Sequence, residues 1–209
     1  MGVKEDMQIR LLEDEERRSI YHGHLQKDFH QSEIKPYSLM EKLAAEQKYP
    51  CYGLFDQGKL KGYAFFVKDK KTLLLDYFAV VSEYRNEGLG GQFIRELQEY
   101  VSKEELTLFA EVENPVYAVD DQSRKLMKRR IEFYLRNGFK QSKIWSRVFT
   151  DEYIIIYYSV KPPIEMKPPI EMKPDPEENG LVHELKQLYQ MIFGEDICHN
   201  RIHIRRVEK

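Results

Sequence analysis

The chain has 209 residues, which is enough for one domain of ordinary size with an additional segment. Its 33 Lys and Arg nearly balance its 35 Asp and Glu, so a net charge of −2 gives no electrostatic argument for binding nucleic acid or an anionic membrane. Hydrophobic residues make up 42% of the chain, which excludes an intrinsically disordered protein. The composition therefore predicts a folded globular protein.

The sequence also predicts a cytoplasmic protein without a membrane partner. No apolar run approaches the roughly 18 residues that a membrane-spanning helix needs, and Met1-Gly2-Val3-Lys4-Glu5-Asp6 lacks the apolar region of a signal peptide. Cys51 and Cys198 are too few for a disulfide framework. We expect both cysteines to be reduced, the first in a strand and the second in a loop.

The N-terminal part of the chain predicts one strand and two helices. Alternating apolar residues predict a short strand over Met7 to Leu12. A helical pattern follows near Asp14 to Phe29, and a second one begins at Pro36, a residue that is favoured at the start of helices.

Three runs rich in aromatic and β-branched residues come next, separated by turn-like segments: Cys51 to Phe55, Leu60 to Val67 and Thr72 to Val81. They predict an antiparallel meander. A helix is predicted to begin near Gly90, and a buried strand follows over Leu106 to Val112. A strand, a helix and a strand in this order predict a parallel crossover.

A second long helix is predicted over Asp120 to Asn137, because Gly138 stands where a helix commonly ends in the left-handed conformation. Strands are predicted over Lys143 to Phe149 and Tyr153 to Val160. The whole pattern indicates an α/β (α+β) fold with a mixed, mostly antiparallel central sheet flanked by helices. We expect residues 1–160 to form this domain.

A proline-rich segment follows the domain. The hexapeptide Pro-Pro-Ile-Glu-Met-Lys occurs twice in succession between residues 162 and 173, and proline at this density favours an extended chain. We therefore predict a linker without helix or sheet over residues 161–179.

The last thirty residues regain a regular pattern. An apolar stripe over Leu181 to Phe193, closed by Gly194, predicts a helix, and Arg201 to Val207 alternates as an edge strand does. We expect residues 180–209 to pack on the main domain as a helix-strand appendage.

The loop Arg85-Asn86-Glu87-Gly88-Leu89-Gly90-Gly91 joins a predicted strand to a predicted helix. Glycine permits positive φ angles and close approach of the backbone to a ligand, so successive N–H groups can converge on an anion at the helix N-terminus. A plain strand-to-helix turn is the alternative. The loop thus predicts an anion site, and a diphosphate has the right charge and shape for it.

Two other phosphate-binding motifs fit the loop less well. A Walker loop needs Lys-Ser or Lys-Thr after its last glycine, whereas Gln92-Phe93 stand there. A dinucleotide fingerprint needs Gly or Ala at Phe93, although Glu111 and Glu113 lie near the spacing of a ribose-binding acid. Dinucleotide binding therefore stays as the weaker alternative.

Two segments resemble motifs of the GNAT superfamily of acetyl-CoA-dependent N-acetyltransferases. Phe78 to Gly91 is similar to the acetyl-CoA motif of that family, an Arg or Gln followed by x-x-Gly-x-Gly or Ala. Phe133-Tyr134-Leu135-Arg136-Asn137-Gly138-Phe139 resembles the end of the family's last long helix. The resemblance covers about Met7 to Val160 and implies a GNAT-like fold with acetyl-CoA as co-substrate.

The resemblance also implies how acetyl-CoA is held. Backbone N–H groups of the loop would bind the CoA diphosphate, with added positive charge from the Arg85 side chain, and the β-strand backbone before the loop would pair with the pantetheine arm and polarise the thioester carbonyl. The implied cofactor-binding residues are Phe78, Ala79, Val80, Arg85, Asn86, Glu87, Gly88, Leu89, Gly90 and Gly91.

Acetyl transfer to an amine needs a base, because an unperturbed ammonium group has a pKa of about 10.4. Glu111 is the candidate, since it is similar in position to the Glu that serves as base in members that acetylate ribosomal proteins. Glu113, Asp76 and a water chain stay open as alternatives. Tyr134 is implied to protonate the departing CoA thiolate, with a buried core tyrosine as the alternative.

Two features depart from the family pattern. Met127, Arg129 and Arg130 stand in the stretch where many relatives carry an Asn, and residues 114–120 are inserted between Glu113 and the helix. These departures leave open a CoA-binding or sensor module that has lost turnover. We expect direct attack of a small-molecule or peptide amine in a ternary complex, and the sequence leaves room for a homodimer.

The remaining charged and metal-binding residue types suggest no further site. Cys198, His199 and His203 lack a partner pair at zinc-site spacing, so we expect no metal. The basic residues of the second long helix are expected to form a solvated face: Arg124, Lys125, Lys128, Arg129, Arg130 and Arg136.

Overall fold

A computed structural model of the protein describes residues 7–160 and 176–207, apart from the side chains of residues 176–179. The PPIEMK repeat and most of the predicted linker, residues 161–175, lie outside the described residues.

The described residues form two compact units, one of residues 7–68 and 75–97 and the other of residues 69–74, 98–160 and 176–207. Four strands belong wholly or mainly to the first unit: β1 (Gln8–Leu11), β2 (Cys51–Asp56), β3 (Lys59–Asp69) and β4 (Thr72–Val80). Its helical elements are α1 (Asp14–Ile20), a π-helical segment (Tyr21–Leu25), α2 (Gln26–Asp28) and α3 (Tyr37–Ala45). A helix predicted over residues 14–29 is therefore present, with a wider π turn in its middle.

The first three strands are antiparallel neighbours, β1 with β2 and β2 with β3. Gln57 and Gly58 join β2 to β3 with φ angles of 50° and 74°, and two successive positive φ angles are typical of the tight turn that suits a twisted hairpin. Gly62 on β3 is needed for close packing, because an added Cβ would lie 3.0 Å from the carbonyl oxygen of Ala79 and 3.4 Å from the Phe93 ring.

The second unit contains the antiparallel strands β5 (Thr107–Glu113), β6 (Lys140–Val148), β7 (Asp151–Ser159) and β8 (Ile202–Arg206), in the order β5-β7-β6-β8. Its helices are α5 (Asp121–Arg136), α6 (Pro176–Phe193) and α7 (Glu195–Arg201), and α4 (Leu89–Lys103) extends from the first unit. The core of the second unit includes the fully buried Phe109, Ile155, Leu185 and Leu188. The predicted mixed α/β fold with mostly antiparallel strands, and the C-terminal helix and strand, are confirmed.

Three predicted boundaries differ from the structure. Helix α6 begins at Pro176, inside the predicted linker, because proline is well tolerated in the first turn of a helix. Strand β6 begins at Lys140 rather than Lys143, with an irregular register between Gln141 and Trp145. The prediction of a loop around Cys198 is wrong.

Cys198 lies in α7, which begins after Gly194 ends α6 at a φ of 82°. Glu195 and Asp196 occupy the first turn of α7, where negative charge stabilises the helix dipole. Cys198 and Cys51 are both free and buried. Among the helices of the described ranges, none combines the length and apolar character that crossing a membrane requires.

Candidate active site

Two residues of the loop before α4 have a left-handed backbone conformation. Asn86 and Gly88 have φ angles of 67° and 82°, and the backbone turns at both positions. The first bond of the helix runs from the Gln92 N–H to the Gly88 carbonyl at 3.2 Å. N–H groups in the first turn of a helix have no acceptor within the helix, so Leu89 to Gly91 direct donors at the space before the helix. This is the geometry that binds anions.

Apolar contacts of α4 hold the loop in place. Phe93, Ile94 and Leu97 are buried on one side of the helix. The Phe93 ring packs against Phe78, 5.5 Å away between ring centroids. Phe78, Ala79 and Val80 are half-buried at the end of β4, so the strand segment predicted to pair with pantetheine leads directly into the anion-binding loop.

The Arg85 side chain has partners within the protein. Its Nε donates to the Val80 carbonyl at 2.9 Å, and its guanidinium forms an ion pair with Asp28 at the end of α2. The Asp28 carboxylate also accepts a hydrogen bond from the Tyr63 hydroxyl at 2.8 Å. The positive charge of Arg85, which the resemblance implied for phosphate binding, is thus paired with the Asp28 carboxylate of the first unit.

Asp76, one of the alternative bases, is enclosed by partners. Its side chain is only 3% exposed, lies 2.5 Å from Lys35 Nζ and accepts a hydrogen bond from the Tyr49 hydroxyl. A buried carboxylate that is paired and hydrogen-bonded in this way has a structural role. The arrangement favours the other carboxylates as bases.

Glu111 is half-buried on β5 and its carboxylate contacts two hydroxyl groups. Tyr189 of α6 forms a hydrogen bond with Oε1, and Ser146 Oγ of β6 lies 3.4 Å from the same oxygen. Ser146 Oγ and the Tyr189 hydroxyl are 2.9 Å apart, and both side chains are fully buried. Burial and the charge of Glu111 raise the pKa of Tyr189 well above its ordinary value, so Tyr189 keeps its proton.

Glu113, the next alternative, lies on the same side of β5 as Glu111 because strand side chains alternate. Its carboxylate forms an ion pair with Arg130 of α5, and both side chains are partly exposed. The structure therefore gives these two glutamates different partners, a cation for Glu113 and a tyrosine hydroxyl for Glu111.

Tyr134 is held by the way that α5 ends. The Asp120 side chain caps the start of the helix by accepting from the Ser123 N–H at 2.7 Å. At the other end Gly138 has a φ of 87°, its N–H bonds to Leu135 O, and the Phe139 N–H bonds back to Tyr134 O at 3.2 Å. This Schellman motif is completed by the Phe139 ring, which packs edge-on against Tyr134 at 5.1 Å.

The Tyr134 hydroxyl is suited to donate a proton. Burial raises its pKa above the ordinary value of a tyrosine, with the charge of Arg130 acting weakly in the opposite direction. The hydroxyl therefore carries its proton at neutral pH.

The residues of these clusters that were not predicted from the sequence include Asp28, Ser146 and Tyr189. Tyr189 falls on the apolar stripe of its helix, which indicates a core residue, and nothing in its neighbours shows that its hydroxyl meets a carboxylate. In the described ranges, no group of His, Cys, Asp and Glu side chains is placed to hold a metal ion.

Residues 47–141 match the family model described as an acetyltransferase (GNAT) domain. The match includes the whole loop before α4, Glu111 and Tyr134. A comparison with curated protein sequences gives no match.

Solved structures with the same fold cover most of the chain. A protein assigned to the GNAT family from Bacteroides thetaiotaomicron is 18% identical, with a TM-score of 0.66 over 90% of this chain and 99% of that one. The ribosomal-protein-S18-alanine N-acetyltransferase of Escherichia coli is 20% identical, with a TM-score of 0.54 over 80% of this chain and 99% of the other.

A third similar structure contains ligands. Spermidine N-acetyltransferase of Vibrio cholerae, in complex with CoA and spermine, is 12% identical, with a TM-score of 0.56 over 73% of this chain and 95% of that one. The family match and the shared fold agree with the resemblance that the sequence motifs predicted. Residues 47–141 therefore match the acetyltransferase domain of the GNAT family, and the chain has the fold of that family.

Proposed function

We propose that the protein transfers the acetyl group of acetyl-CoA to a primary amine by direct attack of the amine on the thioester in a ternary complex. The observation that carries the proposal is the loop before α4, which has the two positive φ angles and the helix N-terminus of an anion site and lies within the family match. Backbone N–H groups of Asn86 to Gly91 bind the diphosphate. The backbone of Phe78, Ala79 and Val80, at the end of β4, pairs with the pantetheine arm.

Diphosphate binding in this proposal depends on backbone donors more than on Arg85. The guanidinium of Arg85 is engaged by Asp28 and by the Val80 carbonyl, so its contribution is to fix the loop against β4 and α2. Backbone N–H groups at a helix N-terminus supply the positive end of the helix dipole without a further cation.

Glu111 is the proposed base. The amine nitrogen attacks the thioester carbonyl carbon, and the proton that nitrogen loses passes to the Glu111 carboxylate directly or through water. Glu111 is better suited than Glu113, which is paired with Arg130, or Asp76, which is enclosed by Lys35 and Tyr49.

Tyr134 is the proposed acid. When the carbon–sulfur bond breaks, the CoA sulfur takes the electron pair, and the Tyr134 hydroxyl supplies a proton to it. The tyrosine is fixed by its Schellman motif and, because burial raises its pKa, holds that proton at neutral pH. No covalent intermediate on the protein is involved.

The acceptor is proposed to be a small-molecule or peptide amine. The similar structures include one named for an alanine of ribosomal protein S18 and one named for spermidine, and alanine and spermidine both have a primary amino group. The cytoplasmic location and the homodimer stay predictions from the sequence.

Ligand binding and turnover can be tested separately. Thermal unfolding should show stabilisation by acetyl-CoA, about 2.7 kcal/mol at a ligand concentration of 100 times Kd, and none by NAD or ATP. Stabilisation by NAD alone would favour the dinucleotide interpretation and reject the proposal.

Acetyl-CoA consumption should then be measured with spermidine, free amino acids and peptides that have a free N-terminus. Glu111→Gln and Tyr134→Phe are each expected to lower kcat about 10²- to 10⁴-fold, the usual size of acid–base catalysis, while CoA binding is kept. Glu113→Gln is the matched control on the same strand and should keep most activity. If the wild type binds CoA but acetylates no amine, the protein is a CoA-binding module.

A further inference from the structure

A buried chain of hydroxyl groups joins α6 to Glu111. The Tyr189 hydroxyl contacts both the Glu111 carboxylate and Ser146 Oγ. A tyrosine hydroxyl has one proton, and an ionised carboxylate can only accept hydrogen bonds. Because the contact of Tyr189 with the carboxylate is the shortest of the three, we assign the Tyr189 proton to Glu111, which leaves Ser146 to donate to the Tyr189 oxygen or to Oε1 of Glu111, 3.4 Å away. Both hydroxyl groups therefore donate toward the carboxylate, Tyr189 directly and Ser146 either directly or through Tyr189.

We propose that Tyr189 is a positioning residue that keeps Glu111 ionised and fixes the orientation of its carboxylate, so that α6 determines the lower end of the pH range of acetyl transfer. The inference rests on the proposed function of Glu111 as the base. It assigns a part in the reaction to the C-terminal segment, which lies outside the family match over residues 47–141.

The packing of α6 gives Tyr189 a fixed place. Leu181, Leu185 and Leu188 are fully buried along the same helix, and Ser146 is fully buried on β6. Side chains in such surroundings have little freedom to move. A hydroxyl held in this way can orient a carboxylate, whereas an exposed hydroxyl would exchange its partners with water.

The electrostatic effect has a definite sign. A hydrogen bond donated to a carboxylate stabilises the charged form, which opposes the effect of burial. Other groups on the same side of the strands are Glu113, whose charge is met by Arg130, and Tyr153, which lies opposite Glu113 on β7. Tyr189 donates directly to the Glu111 carboxylate, so removal of its hydroxyl should alter the protonation of Glu111.

The test is the pH dependence of kcat and kcat/KM for Tyr189→Phe in the full chain. The acidic limb is expected to move to higher pH by about one to two units, the equivalent of one hydrogen bond to a charged group. The activity at high pH should stay close to that of the wild type, because Glu111 is ionised there without help. The kcat profile is the more direct measurement, since it reports groups in the enzyme–substrate complex.

Tyr158→Phe is the matched control. It removes a tyrosine hydroxyl of β7 that lies 3.1 Å from Ser102 Oγ and belongs to the same unit. Its pH profile should superimpose on that of the wild type. Ser146→Ala should move the acidic limb of kcat in the same direction as Tyr189→Phe, by a smaller amount, because Tyr189 still donates to Glu111.

Outcomes at Glu111 and Tyr189 are distinguishable. Full activity of Glu111→Gln would reject Glu111 as the base. If Glu111→Gln is inactive while Tyr189→Phe has an unshifted profile, or loses activity equally at every pH, the positioning role is overturned and the proposed function stands. If Tyr189→Phe does not fold, the Ser146→Ala variant provides the test. An unshifted pH profile of that variant would overturn the positioning role of Tyr189.

Discussion

Arg85, the first residue of the loop before α4, is paired with Asp28, the last residue of α2. Asp28 has a 9% exposed side chain and also accepts from Tyr63, while Arg85 donates to the Val80 carbonyl. The pair therefore connects the helical segment near the N-terminus to the strand end and loop that are proposed to hold acetyl-CoA. It also places a negative charge close to a site for an anion.

Replacement of Asp28 by Asn should tighten CoA binding. The change removes the negative charge and releases the charge of Arg85 for the diphosphate. With an interaction energy of roughly 1 kcal/mol between charges in a high dielectric, the Kd should fall about 3- to 10-fold at low salt. The gain should shrink as salt screens the charges.

Calorimetric titration with CoA at low and high salt measures this effect. Asp14→Asn is the control, because the exposed Asp14 pairs with the buried Arg17 of the same helix. Weaker CoA binding in Asp28→Asn would show that the ion pair shapes the loop and that its charge is secondary.

An alanine at Gly88 should weaken CoA binding and lower stability. The φ angle of 82° is unfavourable for any residue with a Cβ, at a cost of roughly 1–2 kcal/mol, although no atom lies within 4 Å of the added Cβ. Because the added Cβ meets no atom, the substitution should act through the backbone conformation, which sets the direction of the N–H groups of the loop. Gly23→Ala is the matched control, since its Cβ also meets open space at a φ that suits alanine. CoA affinity and thermal unfolding of both variants separate the loop from a general effect of alanine.

Replacement of Phe139 by Leu should lower kcat, because the Phe139 ring helps to hold Tyr134 in place. The variant keeps a buried apolar side chain but loses the edge-on contact with the tyrosine ring, which is worth about 0.5–1.5 kcal/mol. We expect a 3- to 10-fold lower kcat with an unchanged KM, because the acid is placed less well. Phe149→Leu controls for the loss of an aromatic pair, since Phe149 packs on Phe193. An equal fall in kcat in both variants would contradict a specific role of Phe139.

Glutamine at Glu184 should stabilise the protein at neutral pH. Glu184 is partly buried on α6, and one of its carboxylate oxygens is buried without a hydrogen-bond partner in the described residues. Burial raises its pKa, and a hydrogen bond with Thr72 has a smaller effect in the opposite direction. A carboxyl group whose pKa is higher in the folded state contributes stability below its unfolded pKa, and this contribution is lost as pH rises through the folded pKa.

Thermal unfolding of the wild type and Glu184→Gln between pH 5 and pH 8 tests this. The melting temperature of the variant should exceed that of the wild type at pH 8, and the two should converge on acidification. Glu195→Gln, at an exposed position that begins α7, should show no such dependence. A lower melting temperature of Glu184→Gln at pH 8 would mean that the hydrogen bond with Thr72 stabilises the ionised group more than burial destabilises it.

Features that depend on neighbouring residues were predictable from the sequence. The loop before α4, the cap at Asp120 and the end of α5 at Gly138 each follow from local backbone preferences, and the structure has all three. The edge strand near the C-terminus followed from its alternating pattern.

Contacts between distant residues were not predictable. Tyr189 and Glu111 are 78 residues apart, and Asp28 and Arg85 are 57 apart, so nothing in a local pattern joins them. A tyrosine on an apolar stripe has the same pattern whether its hydroxyl meets water or a carboxylate. The π turn in the first helix was also missed, because its extra residue fits the same apolar spacing.

Strand β8 has a consequence for the solubility of shortened chains. Among the described strands, β8 lies at the edge of the sheet and is the neighbour of β6. It pairs with residues Ile144 to Val148 of β6. Without β8, the N–H and C=O groups on that side of β6 would be open to strands of other molecules. A chain ending at residue 160 would keep the whole family match yet should self-associate through β6, so the C-terminal segment also protects the protein against aggregation.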